Sequence, residues 1–139
     1  MARSPRLARR ISKASDLLKF PLLRLDDWAT WTRWFAAAGV EEPVAHGPVM
    51  NRASMLIDAA IDGQGVALAR TALAAGDLIN GRLVRPIDIS LRMSSSYWIV
   101  CPKATSRTPK IATFRGWLLA EAAEDARRLK TLVRSDQAL

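Results

Sequence analysis

Cysteine is almost missing from this chain: its 139 residues hold one, Cys101, so no disulfide can form within the chain and none braces the fold. That usage fits a reducing compartment, and the expected location is the cytoplasm. Histidine is equally scarce, with His46 alone, and tyrosine is represented only by Tyr97. No run approaches the roughly 20 consecutive apolar residues that a membrane-spanning helix requires. The basic stretch Ala2-Arg3-Ser4-Pro5-Arg6-Leu7-Ala8-Arg9-Arg10 is not followed by an apolar h-region, so it does not read as a secretory signal. Half the residues are hydrophobic and 24% are charged, the balance of a folded domain rather than a disordered tail.

Acids are outnumbered. Lys+Arg 21 against Asp+Glu 13 gives a net charge of +8. Such a surplus would suit a nucleic-acid surface. The positives are dispersed, however. Arg3, Arg6, Arg9, Arg10 and Lys13 precede the first acid, Asp16, and Lys103, Arg107, Lys110 and Arg115 surround the start of the final helical pattern. The middle of the chain is nearly balanced, which fits a solvated surface better than a groove for phosphates.

Strand and helix signals alternate along the sequence. Leu22-Leu23-Arg24-Leu25 is a short apolar run suited to a buried strand, after a turn that Ser15 can cap and that Pro21 stops. Trp28, Trp31 and Phe35 then recur at helical spacing, with Asp26 or Asp27 as cap and Gly39 as a left-handed close. Pro43 to Val49 is extended by composition. A second helix is expected after Asn51 as N-cap, through Met55, Leu56, Ala59 and Ala60 to Gly63. Gln64 to Ala69 reads as a buried strand that Gly65 lets the chain turn into tightly. A third helix runs from Thr71 to Gly81. Ser96-Tyr97-Trp98-Ile99-Val100-Cys101 is the strongest strand signal, aromatic and β-branched, bounded by serine and proline. The last helix has Thr108 as cap, Pro109 at its first position, and an apolar face of Ile111, Phe114, Leu118 and Ala122. This alternation is the pattern of an α/β layer fold.

The catalytic inventory is poor. A nucleophilic pair would have to come from Cys101 and His46, and a cysteine inside a strand is ordinarily a small core residue. A serine nucleophile lacks its Gly-x-Ser-x-Gly elbow. With one His and one Cys, no metal-ligand spacing emerges, and no cofactor is expected. Gly63-Gln64-Gly65 precedes a strand, whereas a dinucleotide fingerprint follows one. Adjacent Asp26 and Asp27 point apart, which suits capping better than acid–base work. Trp28, Trp31 and Trp34 form a core or interface stripe, with Trp28 at the strand-to-helix junction able to line a ligand site. Asn51-Arg52-Ala53-Ser54 is more suggestive. Unpaired amides at a helix start carry about half a positive charge, and Arg52 and the Ser54 hydroxyl add donors that suit a carboxylate or phosphate.

The order of these motifs resembles the effector-binding domain of LysR-type transcriptional regulators. The matching residues are Leu25-Asp26-Asp27-Trp28, Trp34 to Val40, Ala59 to Leu68, Gly81-Arg82-Leu83-Val84-Arg85-Pro86, Tyr97 to Pro102, and Phe114 to Glu121. It looks closest to the branch holding the glycine-cleavage and β-lactamase gene regulators, over about Ser4 to Ala123. The resemblance implies two α/β lobes similar to periplasmic binding proteins, a mixed sheet with flanking helices in each, and a small ligand between them. Ligand binding there shifts lobes and oligomer, and so changes how a winged helix-turn-helix engages a promoter.

Measured against that pattern, the chain is expected to be an incomplete two-lobe domain. Residues 1–13 form a basic lead-in segment, 14–92 form lobe two, and 93–139 carry the return crossing strand (96–101) and the C-terminal helix of lobe one. Without the reading helix, direct DNA contact is not expected. The lobe-two side of the ligand cleft is implied to include Asn51, Arg52, Ser54 and Tyr97, with Trp28 a looser candidate. The effector is expected to be a small anionic or amino-acid-like molecule. Ile111, Phe114, Trp117 and Leu118 would expose apolar surface worth about 1.5–3 kcal/mol per side chain, so self-association through them is expected. The rival readings are a stand-alone basic nucleic-acid module and a small solute-binding or enzymatic α/β domain using His46 or Cys101.

Overall fold

A computed structural model describes residues 2, 4–8, 10–25, 28–41 and 47–136 of the chain. It divides into two units, Met1–Leu91 and Arg92–Leu139. In the first, the elements are α1 (Pro5–Ala8), a 3-10 turn (Ala14–Lys19), β1 (Leu22–Leu25), α2 (Ala29–Ala37), β2 (Val49–Met50), α3 (Ala53–Ile61), β3 (Val66–Ala67) and α4 (Thr71–Ile79). The strands are parallel, in the order β2-β1-β3. Arg24 pairs with Val49 and Leu25 with Met50 on one side of β1, and Leu22 with Val66 and Leu23 with Ala67 on the other. An antiparallel bridge ties Ala2 to Ala67, whose amides and carbonyls bond reciprocally at 2.8 and 3.0 Å.

The period of two along the strands divides the core into layers. Leu22 and Val66 pack with Ile11, Leu17, Trp31, Trp34 and Phe35. Their neighbours Leu23 and Ala67 face the other way, against Leu56, Ile57, Ala59, Ala60, Ala74 and Leu83. The sheet is thus covered on both faces, by α2 on one and by α3 and α4 on the other, as an all-parallel sheet requires. The two inner tryptophans of the stripe belong to this core. The Trp31 indole N–H donates to the Leu23 carbonyl at 3.0 Å, and that of Trp34 to the Ile89 carbonyl at 3.2 Å. Their rings meet edge to face at 5.9 Å, and Trp31 stacks on Phe35 at 5.6 Å. Gly39, Gly63 and Gly81 all take positive φ just after helices α2, α3 and α4, the left-handed close expected of them.

Ser15 lies inside the 3-10 turn instead of capping it; the cap position is Lys13. The turn is organised by Asp16, which the sequence reading had marked only as the first acid. Its carboxylate accepts from the Ser12 and Lys13 amides, each at 3.1 Å, from the Ser12 hydroxyl, and from the Lys19 ammonium at 3.0 Å. The Ser12 amide, Lys19 and the Lys13 amide together hold its pKa well below the ordinary carboxylate value, against the opposing effect of burial. A folded-state pKa below the unfolded one means that this contribution is complete above the ordinary carboxylate range and is lost as pH falls below it. Acid titration of stability by circular dichroism should show that loss, and Asp16→Asn should flatten this part of the profile.

In the second unit, α5 runs from Pro109 to Asp136. Pro109 takes the first position as expected, and the Thr108 carbonyl before it accepts the Ala112 amide at 2.9 Å; the Thr108 hydroxyl donates to the Thr105 carbonyl at 2.8 Å, inside a turn over 102–108. The expected strand 96–101 is not one. No ladder forms over these residues, and Trp98 and Val100 are 83% and 87% exposed. Aromatic and β-branched composition favours an extended backbone, but a strand exists only where a neighbour supplies its hydrogen bonds. No strand is assigned anywhere else among the described residues of this unit.

Candidate functional site

Parallel strands bring the starts of the following helices to one edge of the sheet. At the carboxyl ends of β1, β2 and β3 the chain passes into α2, α3 and α4 in turn. Their N-cap positions are Trp28, Arg52 and Arg70, and none of the three gives a side-chain cap hydrogen bond. A tryptophan and two arginines have no acceptor to offer the first amides of a helix. Three helix N-termini therefore present their partial positive charge at one sheet edge, with two guanidinium-bearing residues at the cap positions.

The structure places the cap of α3 one residue later than expected. Asn51 lies outside it, and Arg52 has the extended cap backbone. Asn51, Arg52 and Ser54 are all exposed, within one turn of the helix start. Trp28 is half-buried in the same unit, directly before α2. Tyr97 belongs to the second unit, where it is 59% exposed in the extended segment. Asp26, Asp27 and His46 lie outside the described residues.

Arg24, next to last in β1, was passed over in the sequence as part of an apolar run. Its guanidinium sits 5.4 Å from the Trp28 ring centroid, within cation–π range. One Nη donates to the Gly47 carbonyl at 3.3 Å, while the buried Nε has no hydrogen-bond partner among the described residues. An arginine one position from the carboxyl end of an otherwise apolar strand was the signal available.

This arrangement can bind an anion and orient it. Among the described residues no group of three His, Cys, Asp or Glu could hold a metal. Cys101 is a free, half-buried thiol in the second unit. No helix of the described residues is long and apolar enough to cross a membrane.

A three-layer α/β unit with helix starts gathered at the carboxyl edge is the architecture of a ligand-binding lobe. Residues 1–123 match the LysR substrate binding domain, and the chain belongs to that family. It is 36% identical over 118 residues to the glycine cleavage system transcriptional activator of Escherichia coli K12, and 35% identical over 119 residues to the transcriptional activator AmpR of Citrobacter koseri. Those alignments cover 83% and 86% of this chain but 38% and 41% of the relatives, so the chain spans about two fifths of their length.

Two solved structures are similar at 31% identity. One is the effector domain of AmpR from Pseudomonas aeruginosa (TM-score 0.62, covering 91% of this chain and 60% of that one). The other is the AmpR effector binding domain from Citrobacter freundii (TM-score 0.63, covering 88% and 62%). The fold class is therefore that of periplasmic-binding-protein-like effector domains, as the order of motifs implied.

Proposed function

We propose that the first unit is one wall of an effector cleft in a cytoplasmic, non-enzymatic transcriptional regulator, with residues 14–92 as lobe two. Its ligand is a small anionic or amino-acid-like molecule held at the carboxyl edge of the sheet. Asn51, Arg52, Ser54 and the amides that open α3 receive the anionic group, and Trp28 lines the wall beside Arg24; Tyr97, which the family resemblance implied, belongs to the second unit. The observation that carries this reading is the convergence of three helix starts on one sheet edge, where the cap residues Trp28, Arg52 and Arg70 themselves give no side-chain cap bond. A carboxylate is the natural complement of such an edge. Self-association through Ile111, Phe114, Trp117 and Leu118 is part of the same proposal, and direct DNA contact is not.

A thermal-shift screen of amino acids and small carboxylates tests the site. A hit at a hundred times its dissociation constant should stabilise the chain by about 2.7 kcal/mol. Arg52→Ala should abolish that shift while leaving the unliganded midpoint unchanged, because Arg52 is exposed and its side chain caps nothing. A shift that survives Arg52→Ala and disappears with His46→Ala would support the solute-binding or enzymatic rival. The nucleic-acid rival would instead show as a mobility shift that collapses with rising salt.

A further inference from the structure

Arg24 sets a cation one residue from the end of the central strand. The alternation along β1 puts its side chain on the same face as Leu22, toward α2. There its guanidinium lies 5.4 Å from the Trp28 ring centroid. One Nη donates to the Gly47 carbonyl at 3.3 Å, and the buried Nε has no hydrogen-bond partner among the described residues. Arg85, half-buried in the same unit, is paired with Asp88. Arg24 is half-buried too, yet it takes part in none of the ion pairs among the described residues. A guanidinium drawn partly out of water is matched best by a carboxylate or phosphate, which the planar fork of its two Nη groups binds end-on. Gly47 takes one hydrogen of one Nη, so that fork keeps a hydrogen on each nitrogen.

We infer that Arg24 is a second anion receptor at the carboxyl edge, and that the ligand held there is a dicarboxylate of a few carbons. One carboxylate meets Arg52 and the start of α3, and the other meets the Arg24 fork beside Trp28. The inference rests on the anion-binding reading above and names the class of ligand. β1 and β2 are hydrogen-bonded neighbours, with Arg24 opposite Val49. Strand spacing and rise then put the Arg24 and Arg52 backbones about 10 Å apart. Two long side chains from backbones at that separation can meet the two ends of one small molecule. A ligand with a single carboxylate leaves Arg24 partly desolvated and uncompensated, whereas a second carboxylate removes that cost. The preference comes from this difference and not from shape.

Thermal-shift titrations of the full chain test this, with succinate against butyrate and glutarate against pentanoate. Ionic strength is held fixed, because the dianions would otherwise screen charge more strongly. Each dicarboxylate should bind about tenfold or more tightly than the monocarboxylate of the same length, the worth of one charged hydrogen-bonded contact. Arg24→Gln keeps a donor for the Gly47 carbonyl and removes the charge. It should bring the dicarboxylates down to the level of the monocarboxylates. Arg24→Lys keeps the charge and loses the fork, so it should retain only part of the preference. Arg52→Ala should remove the response to both classes.

No shift with any of the four acids would overturn the anion site and this inference together. Shifts that depend on Arg52 but favour neither class would overturn the second receptor alone. So would a dicarboxylate preference that survives both Arg24→Gln and Arg24→Lys undiminished, which would leave Arg24 a structural residue.

Discussion

Replacing Trp31 by alanine is expected to remove about 4 kcal/mol of stability, within the range for deleting a large buried aromatic. The side chain is fully buried, its ring touches Trp34 and Phe35, and its N–H serves the carbonyl of Leu23 in the central strand. The truncation therefore opens a cavity and strips a hydrogen bond from β1 in one step. A domain of this size is stable by about 5–15 kcal/mol, so a substantial part of that margin goes. Urea denaturation followed by far-ultraviolet circular dichroism should show a large fall in midpoint. Trp31→Phe keeps most of the ring and loses the donor, and should cost about 1–2 kcal/mol. Equal effects for the two substitutions would mean that the hydrogen bond, not the packing, carries the stability.

Gly65→Ala is expected to cost about 3 kcal/mol, the upper part of the range for forcing a methyl group into a packed site. A Cβ at Gly65 would lie 2.4 Å from the Pro21 carbonyl oxygen and 3.1 Å from the Leu23 side chain. That same carbonyl accepts the Val66 amide at 2.9 Å, the bond that begins the pairing of β1 with β3. Backbone has to move away from backbone, and the strand pairing moves with it. Gly76→Ala is the control. It sits inside α4, exposed, with nothing within 4 Å of an added Cβ. There the substitution should stabilise by about 0.5–1 kcal/mol through the ordinary helix preference for alanine. If both variants lose stability alike, close approach is not what singles out Gly65.

The layered part of the fold was legible because its signals are local. Leu22 and Leu23 announce a strand buried on both faces, and Trp31, Trp34 and Phe35 mark one helical face. Gly39, Gly63 and Gly81 end helices at the positions read from sequence. Where the expectation slipped, the outcome depended on groups distant in sequence or on competing bonds. Asn51 is a better cap residue than Arg52, yet it is Arg52 that has the extended cap backbone, and the helix begins one position later. Thr108 does stand directly before α5, its carbonyl accepting the Ala112 amide at 2.9 Å, while its hydroxyl donates to the Thr105 carbonyl. The segment 96–101 has every intrinsic preference for a strand and no ladder, because pairing is a property of two segments. Arg24 went unremarked because apolar neighbours on both sides made it read as an interruption of the strand rather than as a guanidinium beside Trp28.

The run from Ser96 to Cys101, which joins no strand ladder, carries a consequence for the protein at high concentration. Six residues without charge, with Tyr97, Trp98, Ile99 and Val100 in succession and all four exposed, have the composition of segments that stack into fibrils. Arg92 and Lys103, a few residues beyond either end, are the charges that hold neighbouring molecules apart, and added salt screens them. Turbidity should therefore grow with ionic strength, opposite to the behaviour of a protein salted into solution.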